Sequence, residues 1–182
     1  MMDFLHCHFE INYIKWDRIL QYINNSRANV IGNSQRRGDF IISTDKSLLD
    51  IKLIHNFLST KSYWAQGRSY EIVKRSIEES LCFGVYIDVK QKQQLHLEQV
   101  GFARVVTDYS TFAWLCDVFI IESHRGQGIG KWLLEYITCN YPDLQGLQRF
   151  VLVTRDAHNL YKQFEFENLA NHDGWMVHNN NI

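Results

Sequence analysis

The chain has 182 residues, of which 46% are hydrophobic and 21% are charged, and its formal net charge at pH 7 is −1. This length suits one domain with a sizeable core, and the near-neutral charge gives no electrostatic case for binding nucleic acid or a membrane surface. No apolar run approaches the roughly 20 residues of a membrane span, and the N-terminus lacks the basic and apolar segments of a secretory signal.

The cysteines and one histidine pair indicate the compartment and the metal content. The four cysteines, Cys7, Cys82, Cys116 and Cys139, lie far apart and form no C-x-x-C pair. Isolated cysteines favour reduced thiols in a cytoplasmic protein over a disulfide framework. His6-Cys7-His8 looks like part of a metal site, but it has no second pair of ligands at a useful spacing, so we expect no metal.

The first 38 residues are predicted to be an extension of unclear role, ahead of a domain that spans residues 39–182. Residues 11–23 carry apolar side chains near helical spacing, whereas residues 24–38 are polar. We expect the Arg36–Arg37 pair in a solvated loop. The extension could be a helix and loop packed on the domain, a remnant of a neighbouring module, or a dimer contact.

Hydrophobic periodicity and turn residues predict about seven strands and about four helices in the domain. In chain order these are strand 39–43, helix 48–58, helix 70–81, strand 82–89, strand 95–107, strand 113–121, helix 131–141, strand 148–154, helix 156–164 and strands 166–169 and 175–178. The helix at 131–141 joins two buried strands, so these should be parallel with a right-handed crossover. The other connections suit antiparallel hairpins, and the fold class is therefore a mixed α/β sheet.

Three finer expectations concern individual residues of these elements. Asp45 or Ser47 can cap the first helix, and the second helix should turn Ile72 and Ile77 towards the core. A bulge is expected near Gly101, because an isolated glycine in a strand often marks one.

A glycine-rich turn follows the buried strand at 113–121. Residues 125–130 read Arg-Gly-Gln-Gly-Ile-Gly and place three glycines at alternate positions before a helix. Glycine lets the backbone approach a ligand closely, and the unpaired N–H groups of a helix N-terminus attract anions. The turn therefore favours a phosphate or pyrophosphate, with Arg125 and Lys131 adding positive charge. A tight turn that binds nothing is the alternative.

Two common phosphate-binding motifs do not match this turn. The P-loop pattern G-x-x-x-x-G-K-[ST] would need a glycine at Arg125 and a serine or threonine at Trp132. The dinucleotide pattern G-x-G-x-x-G would put Lys131 or Leu133 in the third glycine position. The sequence therefore disfavours a phosphate-binding NTPase.

The pattern [RQ]-x-x-G-x-[GA] does match, at Arg125, Gly128 and Gly130. With a buried strand before it and an amphipathic helix after it, the chain resembles the GCN5-related N-acetyltransferase (GNAT) superfamily. The order of predicted elements over residues 39–178 is similar too, and segments 62–67 and 101–108 resemble an uncharacterised bacterial subgroup. The resemblance implies a GNAT-like acyl-CoA N-acyltransferase fold, with acetyl-CoA as co-substrate.

In the resembling family, the strands before and after the crossover helix splay apart and the pantetheine arm enters the gap. The arm would bond to the backbone of the first strand, and the pyrophosphate would lie on the glycine turn. The coenzyme-binding residues implied are Val118, Phe119, Ile120, Arg125, Gly126, Gln127, Gly128, Ile129, Gly130, Lys131, Thr154 and Asn159.

Tyr161 is the predicted general acid. Residues 154–166 resemble the second motif of the family, N-x-x-A-x-x-[LF]-Y-x-x-x-G-F, with Thr154 in place of the asparagine and Glu165 in place of the glycine. A phenol can donate a proton to the leaving thiolate. The alternative is an aromatic residue on the packed face of a helix.

Asp117 is the predicted general base. Alternation along its strand puts Leu115, Asp117 and Phe119 on one face, where a carboxylate is costly unless it is used or paired. In the resembling family, acids on this strand often deprotonate the amine, directly or through water. A carboxylate hydrogen-bonded to the backbone or to Arg104 is the alternative.

The resemblance implies an acceptor site between the loop that joins the first two helices and the strand ends opposite the coenzyme. The residues implied are Tyr63, Trp64, Arg68, Tyr109 and Phe112. Aromatic side chains there could enclose a cation or an apolar acceptor, or they could be core or lid residues.

The function expected from these features is acetyl transfer from acetyl-CoA to a primary amine, on a small molecule or a peptide. A non-catalytic acyl-CoA-binding sensor or assembly module is the alternative. A homodimer is compatible with the family, although the sequence identifies no interface.

Overall fold

A computed structural model describes residues 34–89, 96–169, 174–176 and 178. This part of the chain contains one six-stranded sheet and four α-helices. The strands are β1 Ser34–Arg37, β2 Phe40–Ser43, β3 Leu81–Asp88, β4 Leu97–Thr107, β5 Phe112–Ile120 and β6 Arg149–Leu152. The helices are α1 Ile51–Thr60, α2 Tyr70–Glu78, α3 Ile129–Glu135 and α4 His158–Tyr161.

The pairing of the strands confirms the predicted mixed sheet. The strand order is β1-β2-β3-β4-β5-β6, in which neighbours from β1 to β5 are antiparallel. β5 and β6 are parallel, and α3 lies in the connection between them. α3 continues as a π-helical turn, Tyr136–Asn140. Gly128, in the left-handed conformation, is the N-cap of α3, so α3 begins at Ile129 rather than at the predicted Lys131.

The first strand of the sheet lies where the sequence predicts a loop. The Arg36–Arg37 pair belongs to β1, because a hairpin at Gly38, with φ of 62°, pairs Arg36 with Ile41 of β2. The prediction of a solvated loop is wrong, although both arginines are exposed on this edge strand. The sheet therefore begins at Ser34, before the predicted domain boundary at residue 39.

The last two predicted strands are not found. Residues 166–169 form no strand, and the described residues of 175–178 form none either, so this part of the chain has six strands rather than about seven. Aromatic packing replaces backbone pairing beside β6. The Phe166 ring meets the Phe150 ring edge-on at 5.6 Å, and the Arg149 guanidinium lies 5.8 Å from the centroid of the Trp175 ring.

Three sequence predictions lie outside the described residues. They are the helix at residues 11–23, the His6-Cys7-His8 cluster and residues 1–33 of the predicted extension. Among the described residues, no helix is both long and apolar enough to cross a membrane, and no three His, Cys, Asp or Glu side chains are grouped as metal ligands.

Side-chain caps fix where α1 and α2 begin. The Asp50 carboxylate accepts from the Leu53 N–H at 3.0 Å, and the Ser69 hydroxyl accepts from the Ile72 N–H at 3.4 Å. These bonds satisfy N–H groups that have no partner within the helix. Asp45, the predicted cap, instead accepts from Ser47 at the start of a separate 3₁₀ turn, so α1 begins later than predicted.

The sheet separates two apolar clusters. α3 packs on one face and α1 and α2 pack on the other, because successive residues of a strand point to opposite faces. The α3 cluster includes Phe83, Ala103, Val105, Leu115, Leu133 and Ile137. The α1–α2 cluster includes Ile54, Leu58, Val73, Ile77, Cys82, Phe102 and Phe119.

A β-bulge at Asp117 interrupts the alternation in β5. The register between β4 and β5 shifts so that Asp117 and Val118 together lie opposite Ala103, and Asp117 has a left-handed φ of 53°. Leu115, before the bulge, therefore packs in the α3 cluster, whereas Phe119, after it, packs in the α1–α2 cluster. The prediction that Leu115, Asp117 and Phe119 share one face is wrong for this reason.

A second register shift lies between β3 and β4. It falls at Val85 and Tyr86, whose partners in β4 are Gly101 and Gln99, so Val100 is the extra residue. The bulge predicted near Gly101 is therefore present, one residue earlier in the chain.

The inward face of α2 differs from the prediction at one residue. Ile77 is 3% exposed and belongs to the α1–α2 cluster, but Ile72 is 51% exposed. Val73 and Ile77, one turn apart, form the buried face of α2, and Ile72, one residue before Val73, projects to the side of that face.

Replacing these two isoleucines should separate burial from helix propensity. We expect Ile77→Ala to lower the free energy of unfolding by about 3 kcal/mol, since it removes a buried side chain and leaves a cavity. The matched control, Ile72→Ala, should stay within about 0.5 kcal/mol of the wild type. Urea denaturation followed by circular dichroism measures both, and equal losses would contradict this packing of α2.

Candidate active site

A cleft opens where β5 and β6 separate. The two strands pair from Phe112 to Leu115, but β6 ends at Leu152 while β5 continues to Ile120. A cavity of about 1050 Å³ lies at this point, between β5, the segment after β6 and the loop that joins α1 to α2. Among the described residues, no strand pairs with this edge of β5 beyond Leu115, so the backbone polar groups of the edge can bind a ligand.

This cavity brings together many of the residues predicted for the site. Those that line it are Tyr63, Trp64, Arg68, Phe112, Asp117, Val118, Phe119, Ile120, Arg125, Gly130, Thr154 and Tyr161. The predicted residues that are not part of the lining are Tyr109, Gly126, Gln127, Gly128, Ile129, Lys131 and Asn159. Tyr109 instead lies in the β4–β5 turn and is 49% exposed.

The glycine turn beside the cavity has the backbone geometry of an anion site. Gly126 and Gly128 have φ of 76° and 73°, in the left-handed region that favours glycine. Gly128 caps α3 without a side-chain hydrogen bond, and the first helical bond runs from the Trp132 N–H to the Gly128 carbonyl at 3.0 Å. The N–H groups of residues 129–131 precede that bond, so they remain available to an anion.

Two arginines flank the turn. The Arg125 Nε donates to the Ile120 carbonyl at 2.9 Å and so ties the turn to the free edge of β5. Arg37 of β1 donates to the Gln127 carbonyl at 3.4 Å, and its guanidinium lies 5.8 Å from the centroid of the Trp132 ring. Sequence reasoning missed Arg37, because only the pairing of β1 with β2 brings this early segment to the turn.

Asp117 is 4% exposed and is held by two arginines. The Arg68 Nη1 donates to both carboxylate oxygens at 3.1 Å, and Arg104 approaches one oxygen with Nε at 2.9 Å and Nη2 at 2.8 Å. The Arg104 Nη1 donates in turn to the Ser80 hydroxyl at 3.1 Å. The pairing with Arg104 was the alternative that the sequence left open. Arg68 is a second partner, which the sequence placed with the acceptor.

This pairing bears on the predicted role of Asp117 as a base. Both carboxylate oxygens accept hydrogen bonds from guanidinium groups, so taking a proton from an amine would neutralise the anion that these two arginines bind. The geometry therefore favours a positioning role for Asp117 over direct proton transfer.

Tyr161 ends α4 and lines the cavity. Burial, with smaller contributions from Tyr63 and Asp156, raises its pKa to about 12. The phenol therefore keeps its proton at neutral pH and can act as a donor. Its ring packs edge-on against Phe166 at 5.9 Å, and within the described part of the chain its hydroxyl makes no hydrogen bond.

The α1–α2 loop contacts the segment after β6 across the cavity. The Tyr63 hydroxyl accepts from the Arg155 N–H at 3.0 Å and donates to the Asp156 carboxylate at 3.4 Å. The Arg155 guanidinium lies 3.8 Å from the centroid of the Tyr63 ring, and the Trp64 ring meets that ring edge-on at 5.0 Å. These contacts favour the lid alternative for Tyr63.

The remaining lining residues are not among those predicted for the site. They are Phe57, Arg104, Val106, Trp114, Leu115, Cys116, Leu134, Val153, Arg155, Asp156, Ala157 and Leu160. Trp114 could have been found, because in β5 it alternates with the buried Ala113 and Leu115 and must face the other way. The residues after β6 can be assigned to the cavity only once that strand is known to end at Leu152.

Comparisons with known proteins show which proteins this chain is similar to. The family model described as an acetyltransferase (GNAT) domain matches residues 80–168. A protein of Gibberella zeae named "Putative acetyltransferase FG08082" is 32% identical over 138 residues, which cover 69% of this chain and 77% of that protein.

Two solved structures are similar as well. A Xanthomonas campestris protein, named "a putative acetyltransferase belonging to the gnat family", is 44% identical with a TM-score of 0.70, and the match covers 77% of this chain and 92% of that one. Glucosamine-6-phosphate N-acetyltransferase from Arabidopsis thaliana is 14% identical with a TM-score of 0.51, over 79% and 99% of the two chains. The second likeness concerns the fold alone.

Removing the Asp117 carboxylate should destabilise the protein strongly. We expect Asp117→Ala to lower the free energy of unfolding by about 3 kcal/mol, because it leaves two partly buried guanidinium groups without their anion. The control Asp143→Ala, at an exposed aspartate, should change it by less than about 0.5 kcal/mol. Chemical denaturation of both variants checks this, and equal midpoints would show that the two arginine contacts contribute little.

Proposed function

Because this chain belongs to the GNAT family of acetyltransferases, we propose that it transfers an acetyl group from acetyl-CoA to a primary amine of a small molecule or peptide. The observation that carries the proposal is the free edge of β5, which runs along the cavity towards the glycine turn. There Gly128 caps α3 without a side-chain hydrogen bond. The turn matches the coenzyme pattern [RQ]-x-x-G-x-[GA], and β5 is the buried strand that precedes this pattern in the family.

We propose that the glycine turn holds the pyrophosphate of the coenzyme. The N–H groups of residues 129–131 are free of helical partners, and Arg125 and Arg37 lie beside them. A Cβ at Gly128 would stand 3.3 Å from Nη2 of Arg37 and would narrow the space that a phosphate needs. We propose that the turn residues Gly126, Gln127 and Lys131 bind the pyrophosphate as well.

We assign the pantetheine arm to the backbone of Val118, Phe119 and Ile120, along the edge of β5 that β6 leaves free. Thr154 stands across the cleft, where its hydroxyl accepts from the Ala157 N–H at 3.0 Å and so shapes the segment after β6. Asn159, the second residue of α4, is the other coenzyme residue on this side of the cleft that the family resemblance implies.

The proposed chemistry is direct attack in a ternary complex. The neutral amine forms the new C–N bond with the acetyl carbon, the C–S bond breaks, and a proton lost by the nitrogen ends on the thiol. Tyr161 donates a hydrogen bond to the sulfur as it gains charge. Its pKa of about 12 lies well above that of a thiol, about 8.5, so hydrogen-bond donation is favoured over a completed proton transfer.

We propose a cytoplasmic location for this reaction. Cys82 and Cys116 are unbridged thiols, which suits a reducing compartment. Fluorescence microscopy of the tagged full chain tests the location.

Acetyl-CoA binding should depend on the glycine turn. In calorimetric titrations, we expect Gly128→Ala to weaken binding at least about tenfold, or 1.4 kcal/mol, because the added Cβ narrows the anion site. Gly146→Ala is the matched control, since Gly146 also has a left-handed φ, of 78°, but a Cβ there would meet nothing within 4 Å. Equal losses in both variants would point to backbone strain rather than the ligand, and no binding to the wild type would overturn the proposal.

Turnover should depend on the phenol of Tyr161. With an acceptor identified by thiol release, we expect Tyr161→Phe to lower kcat by about 10²-fold or more while the affinity for acetyl-CoA stays close to that of the wild type. Tyr70→Phe removes a phenol oxygen outside the cavity lining and should leave kcat unchanged. An unchanged kcat for Tyr161→Phe would remove this residue from the mechanism.

The pH profile gives an independent readout of the same residue. Because the pKa of Tyr161 is raised to about 12, its phenol stays protonated through the range in which an ordinary tyrosine, at about 10, would ionise. We therefore expect kcat to show no falling limb up to about pH 11. Tight coenzyme binding without thiol release from a broad amine panel would instead favour the non-catalytic acyl-CoA-binding alternative.

A further inference from the structure

The cavity has more positive than negative side chains. Four arginines and two aspartates line it, and the lining contains no lysine, glutamate or histidine. Arg125 lies beside the glycine turn, and Arg155 is 3.9 Å from its neighbour Asp156. The remaining two arginines, Arg68 and Arg104, share the single carboxylate of Asp117, which leaves one positive charge without an anion.

Arg68 is the residue that carries this excess charge towards the cavity. Arg104 uses Nε, Nη1 and Nη2 on Asp117 and Ser80, and its side chain is 13% exposed. Arg68 contacts Asp117 through Nη1 alone, and its side chain is 24% exposed. Among the described residues, no group accepts a hydrogen bond from its Nε or Nη2, so these donors are available to a ligand.

The position of Arg68 relates it to the reacting atoms. Its partner Asp117 directly precedes Val118, where the proposed coenzyme edge of β5 begins. The surrounding walls are apolar and aromatic, with Phe57, Trp64, Phe112 and Trp114 among the lining residues. A charged group bound by Arg68 would therefore lie near the proposed coenzyme edge of β5.

We propose that the acceptor is a primary amine that also carries a carboxylate, and that Arg68 binds this carboxylate. The inference rests on the proposed acetyl transfer and names its substrate class. A guanidinium fork matches a carboxylate in geometry. One bound anion would also balance the positive charge that remains after Arg68 and Arg104 share Asp117. A di- or polycationic acceptor is disfavoured, because the carboxylates that line the cavity already contact arginines.

Matched pairs of acceptors test the inference in the wild-type protein. Thiol release from acetyl-CoA is measured with 3-aminopropanoate, 4-aminobutanoate and 5-aminopentanoate, and with propylamine, butylamine and pentylamine. Phenylalanine and phenethylamine add an aromatic pair. The rates are normalised to the concentration of unprotonated amine. We then expect kcat/KM to be about 10- to 100-fold higher for each carboxylate than for its matched amine, as for other charge-assisted hydrogen bonds.

Arg68→Gln tests the residue itself. It should remove the preference for the carboxylates over their matched amines, mainly through a higher KM for the carboxylates. Arg75→Gln is the matched control, because Arg75 is exposed on α2 outside the cavity lining. Since Arg68→Gln also takes a partner from Asp117, thermal melting and acetyl-CoA titration of the variant establish that it folds and binds the coenzyme.

Each outcome supports or overturns the inference separately from the proposed function. Acetylation of the amines that lack a carboxylate, at rates equal to or above those of the carboxylates, overturns the inference and leaves acetyl transfer intact. A preference for carboxylates that survives Arg68→Gln overturns the role of Arg68. If no amine is acetylated, calorimetry with the same compounds on the CoA-saturated protein decides. Arg68-dependent binding of the carboxylates supports the inference while the catalytic proposal fails, and no binding overturns it.

Discussion

The site depends on the contacts of the buried Asp117 carboxylate with two arginines. This carboxylate joins β5 to β4 through Arg104 and to the loop before α2 through Arg68, and Arg104 reaches on to Ser80 at the start of β3. An unpaired carboxylate at this depth would cost several kcal/mol, so these elements are held in the arrangement that brings both arginines to it. The left-handed backbone at Asp117 persists because its surroundings fix it.

The bulge at this residue also explains why the cavity lies where it does. β6 pairs with β5 only up to Leu115, just before the bulge, and the two strands separate from there. The free strand edge, the glycine turn and the Tyr161 phenol consequently border one cavity. The cleft within the sheet thus opens next to one extra residue in β5 and one buried ion cluster.

How far the sequence predicts this protein depends on the range of the interactions involved. The turn at Arg125 to Gly130 and the crossover helix follow from local pattern, since glycine spacing and helical periodicity are readable within a few residues. The face occupied by Phe119 is not, because the alternation rule assumes a regular strand and the bulge at Asp117 breaks it. Arg37 was unpredictable for a related reason: its position depends on a pairing between strands that follow no common motif.

The end of the sheet shows a further limit of local pattern. Residues 166–169 are predicted to be a strand, yet Phe166 turns its ring onto Phe150 and Tyr161. Glu165, which stands where the family has glycine, adopts a left-handed φ of 63° and still makes the turn. The backbone conformation that the motif needs was therefore kept without the residue that usually provides it.

β5 has a consequence for how the protein holds together. Because Leu115 packs with α3 and Phe119 packs with α1 and α2, one strand contributes to the apolar layer on each side of the sheet. Loosening either layer displaces this strand and so disturbs the other. The two layers are in this way mechanically coupled, and the protein should melt as one cooperative unit rather than layer by layer.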